Sequence, residues 1–183
     1  MLLAPTPNSV MSVTAAARAS VLLGGLLGMG TGLAIYGPEY MDYQRAAVIP
    51  HRRGQAPEVG FYYGRGGKLG WPGVRPEMQD IIPGLAYMLL GMEQPFARAT
   101  ALRALRERTG LRVGAGEIYW VHRDRLDKQE LFALRVTPED EEVLGAAGGV
   151  ATWRTDESVW GIRDFLDDVV RRTLFTHLVF QRL

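Results

Sequence analysis

Hydrophobic residues in this chain form one long run near the N-terminus, and elsewhere they alternate with polar residues over short distances. The run, ASVLLGGLLGMGTGLAIYGP at residues 19–38, carries no charge and is as long as a helix that crosses the hydrocarbon core of a bilayer. Small residues recur at every fourth position, so a second helix could approach closely along one ridge. This ridge consists of Ser20, Gly24, Gly28 and Gly32. The pattern predicts one transmembrane helix that packs against other helices in the membrane.

Three other interpretations of residues 19–38 are open. The letters GMGTG are similar to a phosphate-binding loop, although no strand precedes them and no Lys-Ser or Lys-Thr pair follows. A cleaved secretory signal would leave a soluble secreted domain, although the segment starts late and lacks a small-x-small cleavage site. A buried helix of a soluble protein is disfavoured by the number of glycines.

The residues that flank the predicted span indicate its orientation. Residues 1–18 form an N-terminal segment with one arginine and no acidic residue, a composition similar to that of an organellar targeting segment. Arg45, His51, Arg52 and Arg53 follow the span. Because positive charge is retained on the inner side of a membrane, the C-terminal part is predicted to face the mitochondrial matrix or the cytoplasm.

The sequence after the span predicts an α+β domain over residues 56–183, joined to the membrane helix by a polar linker at residues 39–55. Two short alternating stretches around a glycine-rich turn, Glu58 to Tyr63 and Lys68 to Trp71, predict a β-hairpin. Strands follow at residues 117–123, 131–136 and 150–154. The four tryptophans, which we expect to pack in the core, are Trp71, Trp120, Trp153 and Trp160.

Two helices are predicted within this domain. The segment PFARATALRALRERTGL predicts a helix that starts at Pro95 and ends at Gly110. A closing helix starts near Thr155 or Asp156, whose side chains can accept hydrogen bonds from free amides. Its charges are spaced for i,i+4 ion pairs, which would join Asp167 to Arg171 and Asp168 to Arg172.

Another apolar stretch, Ile81 to Met92, is too short to be a second membrane span, and Pro83 and Gly84 interrupt it. It is predicted to be either part of the core or a surface that meets a partner. The sequence does not choose between these two roles.

Charge and composition exclude several classes of function. The formal net charge is +1, with acidic and basic residues interspersed, which argues against nucleic-acid binding. The chain has no cysteine, so disulfides, thiolate metal sites and cysteine nucleophiles are excluded. His51, His122 and His177 lack the spacing of metal ligands. We therefore expect no metal and no cofactor.

The first of the two predicted helices ends in RALRERTGL, which follows GWPGVRPE and precedes further strands and the closing helix. This order resembles the Nudix hydrolase family, whose signature is Gly-x5-Glu-x7-Arg-Glu-U-x-Glu-Glu-x-Gly-U, with U a bulky aliphatic residue. The resemblance covers about residues 45–180 and implies an α/β/α sandwich with a mixed sheet. The residues at matching positions are Arg103, Leu105, Glu107, Gly110 and Leu111.

Most of the acidic residues of the signature are absent. The glutamate expected after the arginine is Ala104, the second of the acidic pair is Arg108, and the upstream glutamate position holds Pro95. A second alignment, which inserts residues 80–94, places Glu77 near the lost acid. The family is expected to hold divalent metal with several carboxylates on one helix face, and Glu107 alone among arginines would not attract such an ion. We expect Glu107 to pair with Arg103, or with Arg106 or Arg108 if their side chains reach it.

The sequence favours a non-catalytic accessory subunit of a membrane protein complex, with a mitochondrial respiratory-chain complex as its setting. The transmembrane and closing helices would contact the other subunits, and the domain would lie in the matrix. A bacterial inner membrane with a cytoplasmic domain is the alternative location. The second hypothesis is a membrane-tethered Nudix-type pyrophosphohydrolase of nucleoside diphosphate derivatives that uses Glu77, Glu93 or Glu107. The third is the secreted domain named above.

Overall fold

A computed structural model describes residues 42–146, 150–176, 179–181 and 183 of the chain. The chain divides into two compact units, Met1–Glu39 and Tyr40–Leu183, and all described residues belong to the second. The predicted span at residues 19–38, its ridge of small residues and the N-terminal segment lie outside the described residues. Among the helices that are described, none combines the length and the apolar character needed to cross a membrane.

The described part of the chain forms a mixed β-sheet with the strand order β3-β2-β1-β6-β5, while β4 pairs with β1 and β7 pairs with β2. β1 and β6 run parallel, and every other pair is antiparallel. The strands are β1 (Arg45–Arg53), β2 (Pro57–Tyr63), β3 (Leu69–Gly70), β4 (Gly73–Val74), β5 (Ile118–Asp124), β6 (Gln129–Arg135) and β7 (Thr152–Arg154). The predicted hairpin and the three later strands are confirmed, with small shifts at their ends.

Helices lie on both faces of this mostly antiparallel sheet, and the domain is α+β. They are α1 (Ile81–Leu89), α2 (Pro95–Thr109), α3 (Pro138–Ala146), α4 (Asp156–Val159) and α5 (Asp168–Thr176). α2 packs on β1 and β6 from one face, and α1 packs on α2. On the other face, Val159, Leu166, Val170 and Leu174 from the C-terminal segment join one hydrophobic cluster with Ile49 and other sheet residues.

β1 is the central strand, and the prediction of a linker at residues 39–55 was wrong for this stretch. Ala46, Ala47, Val48 and Ile49 are completely buried, because one strand face meets α2 and the other meets the C-terminal segment. Strands covered on both faces carry continuous apolar residues rather than alternating ones. The arginines at the two ends of RAAVIPHRR give this short apolar run the appearance of a polar connection.

α2 has the bounds and the caps that the sequence predicts. Pro95 occupies its first turn, where its missing N–H is not needed. Gly110 ends the helix in the left-handed region, with φ of 74°, and its N–H donates to the Arg106 carbonyl at 2.9 Å. The stretch before it, α1, is partly core and partly surface, since Gly84 and Leu85 are buried while Ile82 and Leu89 are 77% exposed. Whether a partner meets the exposed side stays a prediction.

The predicted closing helix is broken into three pieces. Thr155 caps α4 as expected, but a 3-10 turn at Trp160–Phe165 follows, and Leu166 then adopts an extended conformation. The chain leaves the helix because Leu166 bridges to Leu69 of β3, where the Asp167 N–H donates to the Leu69 carbonyl at 2.8 Å. Trp160, predicted to lie in the core, is 56% exposed on this turn.

The ion pairs predicted for the closing helix also differ from those observed. Arg171 pairs with Asp168, three residues before it, at 2.9 Å. Arg172 pairs with Asp127 in the turn between β5 and β6. Arg172 thus joins α5 to the turn between β5 and β6 instead of pairing within the helix.

Candidate functional site

Arg103 lies at the centre of a cluster of three carboxylates that the domain brings together from two segments. One segment is the 3-10 turn Met78–Asp80 with Glu77 before it, and the other is the last half of α2. The Arg103 Nε donates to Asp80 Oδ1 at 2.8 Å, and Nη2 donates to Asp80 Oδ2 at 3.1 Å. Nη1 donates to Glu77 Oε1 at 3.2 Å and to Glu107 Oε2 at 3.2 Å. The predicted pair between Arg103 and Glu107 is confirmed.

Burial divides these four residues into an inner pair and two outer acids. The side chains of Arg103 and Asp80 are 4% and 3% exposed, whereas those of Glu77 and Glu107 are 55% and 42% exposed. Asp80 also accepts from the Thr100 hydroxyl at 2.8 Å and from the Glu77 N–H at 2.9 Å. Its hydrogen bonds to Arg103 raise the pKa of the guanidinium above its already high value, so the cation is permanent.

The Arg103 cluster therefore has the opposite arrangement to a metal centre. A divalent ion needs free carboxylate oxygens, and here a fixed guanidinium stands between them. Among the described residues, no group of three or more histidine, cysteine or acidic side chains could hold a metal ion. What the cluster can do is fix the start of α1, through Asp80, to α2.

The other residues of the resembling signature serve the packing of α2. Leu105 and Ala104 are completely buried, so the position where the family has a glutamate faces the core of this domain. Leu111 is 4% exposed and packs after the Gly110 stop. Glu93 is exposed after α1 and lies beside Arg98, whose Nε donates to the Glu93 carbonyl at 3.2 Å. The structure thus brings Glu77 and Glu107 to one guanidinium, and it leaves Glu93 outside the cluster.

A cleft of about 660 Å³ lies beside the end of α2. Arg45, Lys68, Arg75 and Arg108 line it, and Asp167 is its only carboxylate among the described residues. Aromatic side chains complete the wall, and they are Tyr62, Tyr63 and Trp71. The excess of cations over carboxylates favours a negatively charged occupant.

Three buried polar atoms of this lining have no hydrogen-bond partner among the described residues: Arg45 Nε, the Tyr62 hydroxyl and Trp71 Nε1. Burial raises the pKa of the Tyr62 hydroxyl well above its usual range, which keeps it a neutral donor. Burial lowers the pKa of Arg45, an effect that Asp167 opposes and Arg108 reinforces. A buried donor without an acceptor is costly, so these atoms favour an occupant that carries oxygen acceptors.

The comparisons with known proteins give likenesses to solved structures alone. No model of a known protein family and no curated protein matches the chain. Among solved structures, the chain is similar to the crystal structure of RenU from M. smegmatis. That protein is a Nudix hydrolase. The sequence identity is 14%, the match covers 77% of this chain and 83% of that one, and the TM-score is 0.39. A TM-score of this size carries no weight for the fold or the activity of the present chain.

The sequence pattern does not point to Asp80 or to the cationic cleft. Asp80 could have been noticed because it directly precedes the apolar stretch that becomes α1, a position where acidic residues begin helices. The cleft has no such signal, since Arg45, Arg75 and Arg108 are distant in sequence and meet only when β1, β4 and α2 pack.

The histidines show no sign of a catalytic or metal role within the described residues. His51 is 5% exposed on β1, and its Nε2 lies 2.9 Å from the Tyr119 hydroxyl. Burial, and then the charge of Arg135, lower the pKa of His51. His122 lies on β5, and His177 lies outside the described residues. His51 is therefore a buried histidine that is hydrogen-bonded to Tyr119.

Proposed function

We propose that the chain is a non-catalytic accessory subunit of a membrane protein complex, with residues 42–183 forming a degenerate Nudix-like domain that gives structural support. The observation that supports this proposal is the position of Arg103 among Glu77, Asp80 and Glu107. The resembling family is expected to place metal-binding carboxylates on this helix. In this chain, the three converging acids are bonded to an arginine.

The energetics of the cluster favour a permanent structural role. For Asp80 to bind a metal, it would have to give up its two bonds to the buried guanidinium, and removing one partner of a buried pair costs about 3–5 kcal/mol. The ion would also have to approach the Arg103 charge at short distance. In a structural role, Asp80 stays bonded to Arg103 and no ion approaches the guanidinium. The bonds between Arg103 and the three carboxylates then stabilise the domain.

The membrane setting comes from the sequence. The uncharged segment at residues 19–38 is proposed to span the membrane, with Ser20, Gly24, Gly28 and Gly32 packed against helices of other subunits. We propose the mitochondrial inner membrane with the domain in the matrix, and a respiratory-chain complex as the assembly. A bacterial inner membrane with a cytoplasmic domain is the alternative location.

Native gel electrophoresis in mild detergent tests the accessory role. The tagged chain should migrate with a large complex, and mass spectrometry of the purified material should identify the other subunits. Gly28→Leu should release the chain from the complex, because a bulky side chain would separate the packed helices. Met29→Leu is the matched control, since it is the next residue and keeps the hydrophobicity of the segment. Migration of the unaltered chain alone would contradict the proposal.

The second candidate is a membrane-tethered pyrophosphohydrolase of nucleoside diphosphate derivatives. The cationic cleft favours it, because four cations and three donors that have no partner among the described residues suit a phosphate-bearing ligand. Incubation of the full chain with a panel of such compounds and Mg²⁺ or Mn²⁺ tests this activity. Turnover that Glu107→Gln abolishes would establish the enzyme and overturn the accessory role, whereas no turnover would eliminate the second candidate.

A further inference from the structure

One side of α1 and of the turn before it exposes four large apolar side chains. They are Met78, Ile82, Leu89 and Leu90, each between 70% and 79% exposed. Their spacing places them on one side of a helix, together with Ala86. From Ile81 to Met92 the sequence carries no charge. An uncharged, exposed apolar face of this kind is typical of a surface that contacts another protein or a membrane.

The opposite side of α1 holds the helix firmly in place. Gly84 lies so close to α2 that an added Cβ would stand 2.3 Å from Cδ1 of the Phe96 ring. Asp80, at the start of α1, is bonded to Arg103 and Thr100 of α2. The apolar face is therefore presented on a fixed helix and cannot turn inward without breaking these contacts.

The chain enters the described domain beside the start of α1. The Tyr43 hydroxyl lies 2.8 Å from the Thr100 hydroxyl, which donates to Asp80 at 2.8 Å. The predicted span ends at residue 38, and the extended chain from there to residue 42 reaches at most about 14 Å. The covalent chain therefore keeps residue 42 within about 14 Å of the end of the predicted span, and Tyr43 is linked through Thr100 to Asp80 at the start of α1.

Two arginines border the apolar face. Arg106 and Arg112 are exposed and line a shallow cleft with Pro83 and Tyr87 of α1. Cations beside an apolar helix face are typical of helices that lie on membranes with anionic lipids. The exposed carboxylates at the ends of the segment belong to Glu77, which is bonded to Arg103, and to Glu93.

We propose that the exposed face of α1 lies on the surface of the membrane that anchors the chain. Met78, Ile82, Leu89 and Leu90 insert at the boundary between headgroups and acyl chains, and Arg106 and Arg112 contact anionic headgroups. This inference rests on the membrane anchor of the proposed function and does not depend on the accessory role.

Fluorescence quenching in vesicles tests this inference with the full chain. Because the chain has no cysteine, one introduced cysteine directs an NBD fluorophore to one position. Ile82→Cys and Leu89→Cys place the label on the α1 face, where both residues are 77% exposed and the change disturbs no packing. Gln55→Cys is the matched control, exposed just beyond the end of the nine-residue strand that starts near the chain entry. Leu26→Cys reports on the predicted span itself.

Each chain is reconstituted into vesicles of phosphatidylcholine and phosphatidylglycerol that contain a lipid with a nitroxide near its headgroup or, for position 26, a lipid with a nitroxide midway along its acyl chain. We expect quenching at positions 82 and 89 to exceed that at position 55 several-fold. Quenching at 82 and 89 no greater than at 55, with strong quenching at 26, would overturn the inference and leave the anchor intact. An unquenched label at 26 would instead contradict the anchor. A blue-shifted but unquenched label at 82 would show that protein covers the face and would also overturn the inference.

Discussion

Removal of the Arg103 guanidinium is the sharpest test of the carboxylate cluster. Arg103→Met keeps the length of the aliphatic stem and deletes the charge. It leaves Asp80, 3% exposed, without its buried cation. Breaking such a pair from one side costs about 3–5 kcal/mol, and Asp80 retains its bonds to Thr100 and to the Glu77 N–H, so we expect a loss of about 3 kcal/mol.

The outer acids should contribute much less to stability. The side chains of Glu77 and Glu107 are 55% and 42% exposed, so solvent screens their pairs with Arg103. Exposed pairs are worth about 0–1 kcal/mol each. Glu107→Gln should therefore cost less than about 1 kcal/mol. Arg106→Met, an exposed arginine on the same helix, controls for the loss of an arginine and should be nearly neutral.

Urea unfolding of the full chain in mild detergent, followed by tryptophan fluorescence, measures these differences. Equal losses for Arg103→Met and Glu107→Gln would refute the division into an inner pair and two outer acids. A double-mutant cycle with Asp80→Asn isolates the coupling between the two buried partners.

The same variant tests the reasoning about metal. Without Arg103, the three carboxylates face one another with no cation between them, so Mn²⁺ should raise the unfolding midpoint of Arg103→Met. The unaltered chain should show no such shift. A shift of equal size in the unaltered chain would contradict the proposal that the arginine takes the place of an ion.

Gly84→Ala should destabilise the chain by about 1–3 kcal/mol, since the added methyl group would overlap the ring behind it. Gly116→Ala, with open space around it, is the control, and equal urea midpoints for the two variants would contradict the packing. The low pKa of His51 means that the unfolded chain takes up the proton first, so stability should fall as the pH drops below about 6.5. His51→Gln should reduce that fall in thermal unfolding at stepped pH, and identical slopes would show that the histidine does not titrate differently in the two states. Arg108→Gln should weaken binding of inorganic phosphate in EDTA about tenfold, whereas Arg106→Gln, on the same helix but outside the cationic cleft, should not. Equilibrium dialysis measures this, and equal losses would indicate diffuse attraction by surface charge.

Local signals carried most of the successful predictions. α2 could be bounded because Pro95 and Gly110 act on their own backbone, without help from the rest of the fold. The pairing of β2 with β3 is also local in sequence, and the glycine-rich segment between them predicts the turn. Strands β5 to β7 follow from alternation and from the turns between them.

The failures all depend on partners that are distant in sequence. β1 is a central strand because it pairs in parallel with β6. The sequence RAAVIPHRR contains no pattern that predicts this pairing. The closing helix breaks because Leu166 is held by Leu69. Asp80 belongs to the site because Arg103 of α2 donates to it from a different element, the turn before α1. The spacing of residues along α2 could not reveal a carboxylate that lies outside that helix.

The parallel pairing of β1 with β6 also sets the order in which the domain can form. Val48 pairs with Phe132, so β1 leaves the ribosome long before its central neighbour exists. Until then, of the strands described, it has only the antiparallel partners β2 and β4, which pair with its two ends, and an apolar strand with an open edge promotes aggregation. Non-local pairing of this kind makes folding slow. We expect the nascent domain to need a chaperone until synthesis has passed residue 135, and truncation before β6 should give an insoluble product.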